Sequence, residues 1–273
     1  MIYLDHASAT PVSKKVLERM LPYFSEKFFN PSAPYLSAKR VRENYESAKQ
    51  TIANLVGAKG NDLVITSGAT EANALAFTVV STEAPETVDN TSELLKTGQI
   101  PQNPQEISEK TEQKSLKTEQ NLKNTLKSPK ILVLETEHAS VLENAKKYSF
   151  DTIKVTKTGL IDLSDLKKKL SPEVELVSVS LANNELGTIQ PLSEIAQILR
   201  EERLSRLKSG NPRQLLLHSD ASQGLALLDI NVSRLGVDLL TLNSAKISGP
   251  KGVGALYVGH GVRLNPLVLG GGQ

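Results

Sequence analysis

Asp62-Leu63-Val64-Ile65-Thr66-Ser67-Gly68-Ala69-Thr70-Glu71 carries an apolar run into a small glycine turn and out into helix-forming residues. The apolar run reads as a buried strand, and the turn leads into a helix spanning 72–80. A strand, a glycine turn and a helix start leave backbone N–H groups and the positive end of a helix dipole exposed, a combination suited to a phosphate. The same residues also fit an ordinary strand-to-helix turn with Thr70 as its N-cap.

The unit recurs along the chain. Ile131 to Glu135 is a second apolar strand, followed by Thr136-Glu137-His138 and a helix over 139–148. A short strand is expected at 152–155 and a short helix at 163–170. The strand 174–180 ends at Asn183-Asn184-Glu185, Pro191 opens a helix over 192–204, and the strand 215–220 ends on Asp220. Strands separated by helices predict a three-layer α-β-α, mostly parallel sheet, with ligands held outside the strands' C-terminal ends.

Upstream, Val16, Met20, Leu21 and Phe24 recur at helical spacing over 12–28, and Asn30-Pro31-Ser32 breaks that helix. A longer helix over 35–56 places Leu36, Val41, Tyr45, Ala48, Ile52 and Leu55 on one face and ends at Gly57. Downstream, Leu240-Thr241-Leu242-Asn243-Ser244-Ala245-Lys246 brings one lysine to a strand end, Gly249-Pro250-Lys251-Gly252 reverses the chain, and an apolar run leads away. A lysine so placed can form a Schiff base with a carbonyl when burial and neighbours free its amine. It equally fits a surface lysine before a turn.

Composition removes several function classes. The 273 residues carry a net charge of +2 with 4% aromatics, so neither a strong field nor a stacking platform points to nucleic acid. There is no cysteine, hence no disulfide, thiolate metal site or cysteine nucleophile within these residues. No metal-ligand cluster stands out. The N-terminus lacks the basic and apolar regions of a signal peptide, and no apolar run reaches the roughly 18 residues of a membrane span. A soluble, cytoplasmic protein without a membrane role is the expectation. Residues from about 82 to 129 are rich in Glu, Lys, Gln, Asn, Thr, Ser and Pro, which predicts a polar, mobile insertion with transient helix around 107–126.

In a parallel sheet the strand ends share one edge, so Ala69-Thr70, His138, Asn183-Asn184, Asp220, Gln223 and Lys246 can converge on one ligand. The runs Thr66-Ser67-Gly68-Ala69-Thr70-Glu71-Ala72-Asn73, Thr136-Glu137-His138-Ala139-Ser140-Val141, Asn183-Asn184-Glu185-Leu186-Gly187, His218-Ser219-Asp220-Ala221-Ser222-Gln223 and Lys246-Ile247-Ser248-Gly249-Pro250-Lys251-Gly252 resemble the cysteine desulfurases of the NifS/IscS type. These are class V aminotransferases among the fold-type-I pyridoxal 5'-phosphate enzymes. Asp5-His6-Ala7-Ser8-Ala9-Thr10-Pro11 and Asn30-Pro31-Ser32 match the family's opening, and the motifs follow its order.

The resemblance implies the large cofactor domain of the aspartate aminotransferase-like fold over 16–262, behind an N-terminal segment 1–15 at the site mouth. Residues 263–273 correspond to the start of a C-terminal small domain that these residues do not contain. By resemblance, Lys246 carries the cofactor in Schiff-base linkage and moves the substrate's α-proton, and Asp220 pairs with the pyridinium nitrogen. Gln223 and Asn184, rather than Asn183, bond the phenolic oxygen; Ala69 and Thr70 hold the phosphate; His138 stacks on the ring and takes part in proton transfer. The bland alternatives are a helix-start role for His138, an N-cap role for Asp220 and a loop role for His6; His218 reads as a core residue.

Two departures stand out. Where the family has a serine and a histidine helping with phosphate, this sequence has Asn243 and Ala245, so Asn243 is the remaining side-chain candidate. The family's persulfide cysteine and its carboxylate-binding arginine have no counterpart here. The implied activity is conversion of L-cysteine to L-alanine. The implied partners are a second copy in a homodimer and a sulfur acceptor, either an iron–sulfur scaffold or a tRNA-thiolation protein. The alternatives are another class V aminotransferase, a selenocysteine lyase, or a non-catalytic cofactor-binding remnant.

Overall fold

The computed structural model describes residues 2–80 and 128–270. The insertion expected at about 82–129, with its helix around 107–126, lies outside the described residues apart from Ser128 and Pro129. The account below concerns the unit built by residues up to 80 and from 130 onward.

In chain order that unit runs α1 (Lys14–Met20), α2 (Pro22–Ser25), α3 (Leu36–Leu55), β1 (Leu63–Thr66), α4 (Ala69–Phe77), β2 (Lys130–Leu134), α5 (Ala139–Ala145), β3 (Ser149–Ile153) and α6 (Leu163–Lys169). It continues through β4 (Val174–Ser178), α7 (Leu192–Lys208), β5 (Leu216–Asp220), α8 (Val232–Leu235), β6 (Leu239–Asn243) and β7 (Gly254–Val258). The strands form a seven-stranded sheet in the order β1-β7-β6-β5-β4-β2-β3. β7 pairs antiparallel with both β1 and β6, and the other neighbours are parallel. All strands but β7 therefore end on the same edge, where β7 begins.

The period-2 alternation of the strands sorts the core into two layers. Leu132, Leu134, Val177, Leu217, Leu240 and Leu242 meet Leu166 of α6, Leu192, Ile195 and Leu199 of α7, and Val232 of α8 on one face. Ile131, Val133, Leu176, Leu216, Leu239 and Leu256 meet Ala72, Leu75, Ala76 and Phe77 of α4 and Val141 of α5 on the other. β2, β4 and β5 are covered on both sides, which is why they read as continuous apolar runs. The three-layer α/β expectation holds.

Several boundaries moved. The helix expected over 12–28 is split at Leu21, because Pro22 opens a new short helix at its first position. α4 begins at Ala69 rather than 72, and α5 ends at Ala145 rather than 148. β3 lies at Ser149–Ile153 instead of 152–155, as an edge strand with Phe150 partly exposed. α7 runs four residues past the expected end at 204 to Lys208, because Arg206 is buried there and donates to the carbonyls of Val174 and Ser171, each at 2.7 Å.

The larger correction concerns α3. Its apolar residues were placed on one face of the helix, yet Leu36, Tyr45 and Leu55 are exposed, and only Ala38 and Ala53 are buried within it.

Candidate active site

Five strand ends supply the site. Lys246 closes the 3-10 turn Ser244–Lys246 that directly follows β6. Asn243 shapes this turn by accepting from the Ala245 amide at 3.1 Å, and the Ser244 hydroxyl bonds the Val253 carbonyl at 2.8 Å. The turn is also held from the N-terminal loop. Thr10 donates its amide and its hydroxyl to the Ala245 carbonyl at 3.0 and 2.9 Å, and its Oγ1 accepts from the Ser248 amide at 2.7 Å. Ala245 thus offers its backbone, and Thr10 takes up the carbonyl. The Lys246 ammonium points back to the same loop, donating to the Ala7 carbonyl at 2.7 Å and to that of Ser8.

Asp220 ends β5 with its side chain fixed on both oxygens. Oδ1 accepts from the Ser222 amide at 2.9 Å, and Oδ2 accepts from Asn73 Nδ2 at 2.8 Å. The Asn73 amide also reaches Ser140 Oγ at 2.9 Å, and Ser140 Oγ lies 2.8 Å from His138 Nδ1. The Ser140 amide donates to that same nitrogen at 3.0 Å, so Nδ1 is an acceptor and a neutral ring carries its proton on Nε2. His138 is the N-cap of α5 and at the same time part of the cavity wall, so the two readings of its role coexist. A continuous polar chain therefore links His138, Ser140, Asn73 and Asp220.

The side chain of Asn183 is consumed locally. It accepts from the amides of Glu185 and Leu186, each at 2.9 Å, and donates to the Thr136 carbonyl at 3.1 Å. Asn184 lines the cavity beside it. Gln223 Nε2 donates to the Ala7 carbonyl at 3.0 Å. Gly68, the N-cap residue of α4, makes no side-chain cap, and Ala69 and Thr70 of the first turn of this helix line the cavity.

Ala69, Thr70, His138, Asn184, Asp220, Gln223, Asn243 and Lys246 all line one cavity of about 290 Å³. A second cavity of about 460 Å³ shares Lys246, Asn184 and Gln223 with it and opens past His6, Ile189 and Leu227. Three hydroxyls in the first cavity's wall, those of Thr136, Ser180 and Ser222, are buried without a hydrogen-bond partner.

Two buried titratable groups lie beneath the wall. Burial, reinforced by the charge of Asp220, pushes the Glu137 carboxyl up to about 8. Burial pushes His218 down to about 4, against the opposing pull of Asp220. His218 is a cross-strand tie rather than a wall residue, bonded to Ser178 Oγ on β4 at 2.8 Å and to Thr241 Oγ1 on β6 at 3.1 Å. The residues that sequence reasoning gave no role are Asn73, Ser140, Glu137 and Ser222. The available signal was a single asparagine in the otherwise apolar run Ala72–Phe77 of α4, where a polar side chain has to find a buried partner. Among the described residues no cluster of three or more His, Asp or Glu is placed to hold a metal, and no helix is long and apolar enough to cross a membrane.

A mostly parallel sheet whose strand ends gather a lysine, a fixed carboxylate and a helix start around one polar cavity has the layout of an α/β fold with its ligand site at the strands' C-terminal ends. The chain belongs to the class-V aminotransferase family, whose model matches residues 2–92 and 108–273. It is 37% identical to cysteine desulfurase IscS 1 of Archaeoglobus fulgidus across its whole length, which is 59% of that protein. To cysteine desulfurase IscS of Dictyoglomus turgidum it is 34% identical, over 57% of that protein. The chain thus spans somewhat more than half the length of these relatives. Among solved structures it is similar to a NifS-like protein, with a TM-score of 0.76 and 26% identity over all of this chain and 62% of the other. It is also similar to SspA in complex with cysteine, with a TM-score of 0.74 and 30% identity over all of this chain and 66% of the other.

Proposed function

We propose that these residues form the cofactor-binding part of a cysteine desulfurase that uses pyridoxal 5'-phosphate to convert L-cysteine to L-alanine. The observation that carries this reading is the convergence of Lys246, Asp220, His138, Asn184, Gln223 and the α4 N-terminus on one cavity. The donor set fits the cofactor. An uncapped helix start suits a dianionic phosphate, a carboxylate held on both oxygens suits a protonated ring nitrogen, and orphaned wall hydroxyls call for a polar occupant.

When bound, the cofactor supplies an electron sink for the bond changes at the substrate's α-carbon. The protein's residues do the rest. The amides of Ala69 and Thr70 and the Asn243 side chain hold the phosphate, and Asp220 keeps the ring nitrogen protonated. Asn184 and Gln223 donate to the phenolic oxygen, and the exposed ring of His138 covers the face of the cofactor. Lys246 would hold the aldehyde through Nζ and would move a proton at the substrate's α-carbon. Both jobs require its Nζ to leave the Ala7 and Ser8 carbonyls and shed a proton.

With no cysteine among the 273 residues, the thiol that takes the sulfur as a persulfide comes from outside them. It passes on to an iron–sulfur scaffold or a tRNA-thiolation protein. A cytoplasmic homodimer is the working form. That same lack of cysteine favours a second reading, a subunit that holds the cofactor without desulfurating.

Borohydride treatment after incubation with pyridoxal 5'-phosphate is expected to leave a covalent adduct on Lys246. Addition of a thiol-bearing partner is expected to yield alanine from L-cysteine. No adduct on Lys246 defeats both readings; an adduct with no alanine under any thiol supply leaves the second.

A further inference from the structure

Glu137 is only 6% exposed, follows β2 and immediately precedes His138. Its Oε1 accepts from the Ser180 amide at 2.5 Å, whereas Oε2 is buried with no hydrogen-bond partner. Ser180 lies two residues beyond β4, on the segment that continues to Asn183 and Asn184. Asn183 ties the same two segments a second time through the Thr136 carbonyl. Thr136, His138 and Ser180 line the cavity and Glu137 does not, so its carboxyl sits behind the wall that these neighbours form.

Accepting from backbone amides, that of Ser180 and that of the neighbouring His138, does not require an acid; a glutamine carbonyl does the same. What an acid adds is a proton it can hold or release. The titratable groups beside it are Asp220 at the end of β5 and His138, the next residue on its own segment.

We propose that Glu137 is a positioning residue of the cofactor site: its carboxylic acid clasps the His138-bearing end of β2 to the Asn184-bearing end of β4. In that state Asp220 is left as the sole carboxylate at the cavity floor. The proposal rests on the cofactor reading above and adds a residue to it. Ionisation of Glu137 would put a second desolvated anion near Asp220 with Oε2 unpartnered, which costs enough to open the clasp or admit water. Burial and the charge of Asp220 raise the pH at which this happens to about 8, against the Ser180 and His138 amides, which favour the ionised form.

Two readouts test the clasp, one with the cofactor and one without. In the first, the rate at which Lys246 captures pyridoxal 5'-phosphate, trapped by borohydride, is measured from pH 6 to pH 10 for the unaltered chain and for Glu137→Gln and Glu137→Ala. Dividing variant by unaltered rates at each pH cancels the titration of Lys246 itself. Glu137→Gln keeps the acceptor and loses the proton. It is expected to match the unaltered chain at pH 7 and to outpace it increasingly above about pH 8. Glu137→Ala is expected to capture about tenfold more slowly than the unaltered chain below pH 8, the size of a lost buried hydrogen bond, and to converge on it as the unaltered clasp opens above pH 8. In the second readout, the hydrogen-exchange protection of the Ser180 amide is followed without cofactor. It is expected to fall through about pH 8 in the unaltered chain and to persist in Glu137→Gln.

A Glu137→Gln ratio that stays flat with pH, or Ser180 protection that does not distinguish the two proteins, overturns the proposal. If the unaltered chain captures no cofactor at any pH, the cofactor reading fails instead, and the Ser180 measurement alone still decides the clasp.

Discussion

At the scale of single residues, Lys246 is held ready by bonds it must break. Its ammonium donates to two backbone carbonyls of the N-terminal loop, and Gln223 donates to one of them as well. On the proposed reading, reaction at Nζ begins with release from Ala7 and Ser8. Lys246→Ala is therefore expected to abolish the borohydride-trapped adduct and to lower stability by about 1 kcal/mol through the lost ties to the loop, read from the urea midpoint. Asp220→Asn tests the other pole of the ring. Loss of a charge-assisted bond to the ring nitrogen removes about 2 kcal/mol, so the dissociation constant for pyridoxal 5'-phosphate, measured by equilibrium dialysis, is expected to rise about 30-fold. Lys246 and Asp220 were legible in the sequence because each ends an apolar run, where a strand delivers its last side chain to the ligand edge. Asn73, which fixes Asp220 to Ser140, was not: a polar residue in a helix reads as solvent-facing until the structure shows it fully buried.

At the scale of elements, the turn between β1 and α4 works because two glycines pass each other. Gly68 has φ of +151°, and a Cβ on Gly254, at the start of β7, would stand 2.6 Å from the Gly68 carbonyl carbon. That neighbour is backbone and cannot swing aside, so the close approach of β7 to the start of α4 depends on a bare α-carbon at 254. Gly254→Ala is expected to destabilise the chain by more than about 2 kcal/mol in urea unfolding, and to weaken cofactor binding further by displacing the amides of Ala69 and Thr70. The helix start itself was misplaced by three residues in sequence reasoning. Ala69 is a poor cap signal and Thr70 a good one, but here the turn is set by Gly68 and by Glu71 reaching back to the Ser67 amide at 2.6 Å. Burial was legible where a strand is covered on both faces, as in Val174–Ser178, and illegible in α3. There the apolar stripe is real in sequence, but nothing in the described residues covers Leu36, Tyr45 or Leu55. Periodicity predicts which side chains share a face; it does not say what lies against that face.

At the scale of the whole molecule, the two buried titratable groups shape stability against pH with opposite signs. Glu137 has its folded value raised from an ordinary 4.5 to about 8, so the folded chain keeps a proton that the unfolded chain releases. Its contribution is complete below about pH 4.5 and is lost as pH climbs to about 8. His218 has its folded value lowered from 6.5 to about 4, so the unfolded chain binds a proton that the folded chain refuses. Its contribution is complete above about pH 6.5 and is lost as pH falls to about 4. Between about pH 4.5 and 6.5 the two slopes oppose each other, leaving a plateau from these groups. From there to about pH 8 Glu137 acts alone, and stability falls. Urea unfolding followed by circular dichroism across pH 4 to 9 is expected to show this shoulder. In Glu137→Gln the decline from pH 6.5 to 8 is expected to vanish, while stability rises steadily from pH 4 to 6.5 under His218 alone. His218→Gln should show the mirror image, a decline that starts near pH 4.5. If the decline above pH 6.5 persists in Glu137→Gln, the proton lies elsewhere in the fold, and Glu137 is not the acid that faces Asp220.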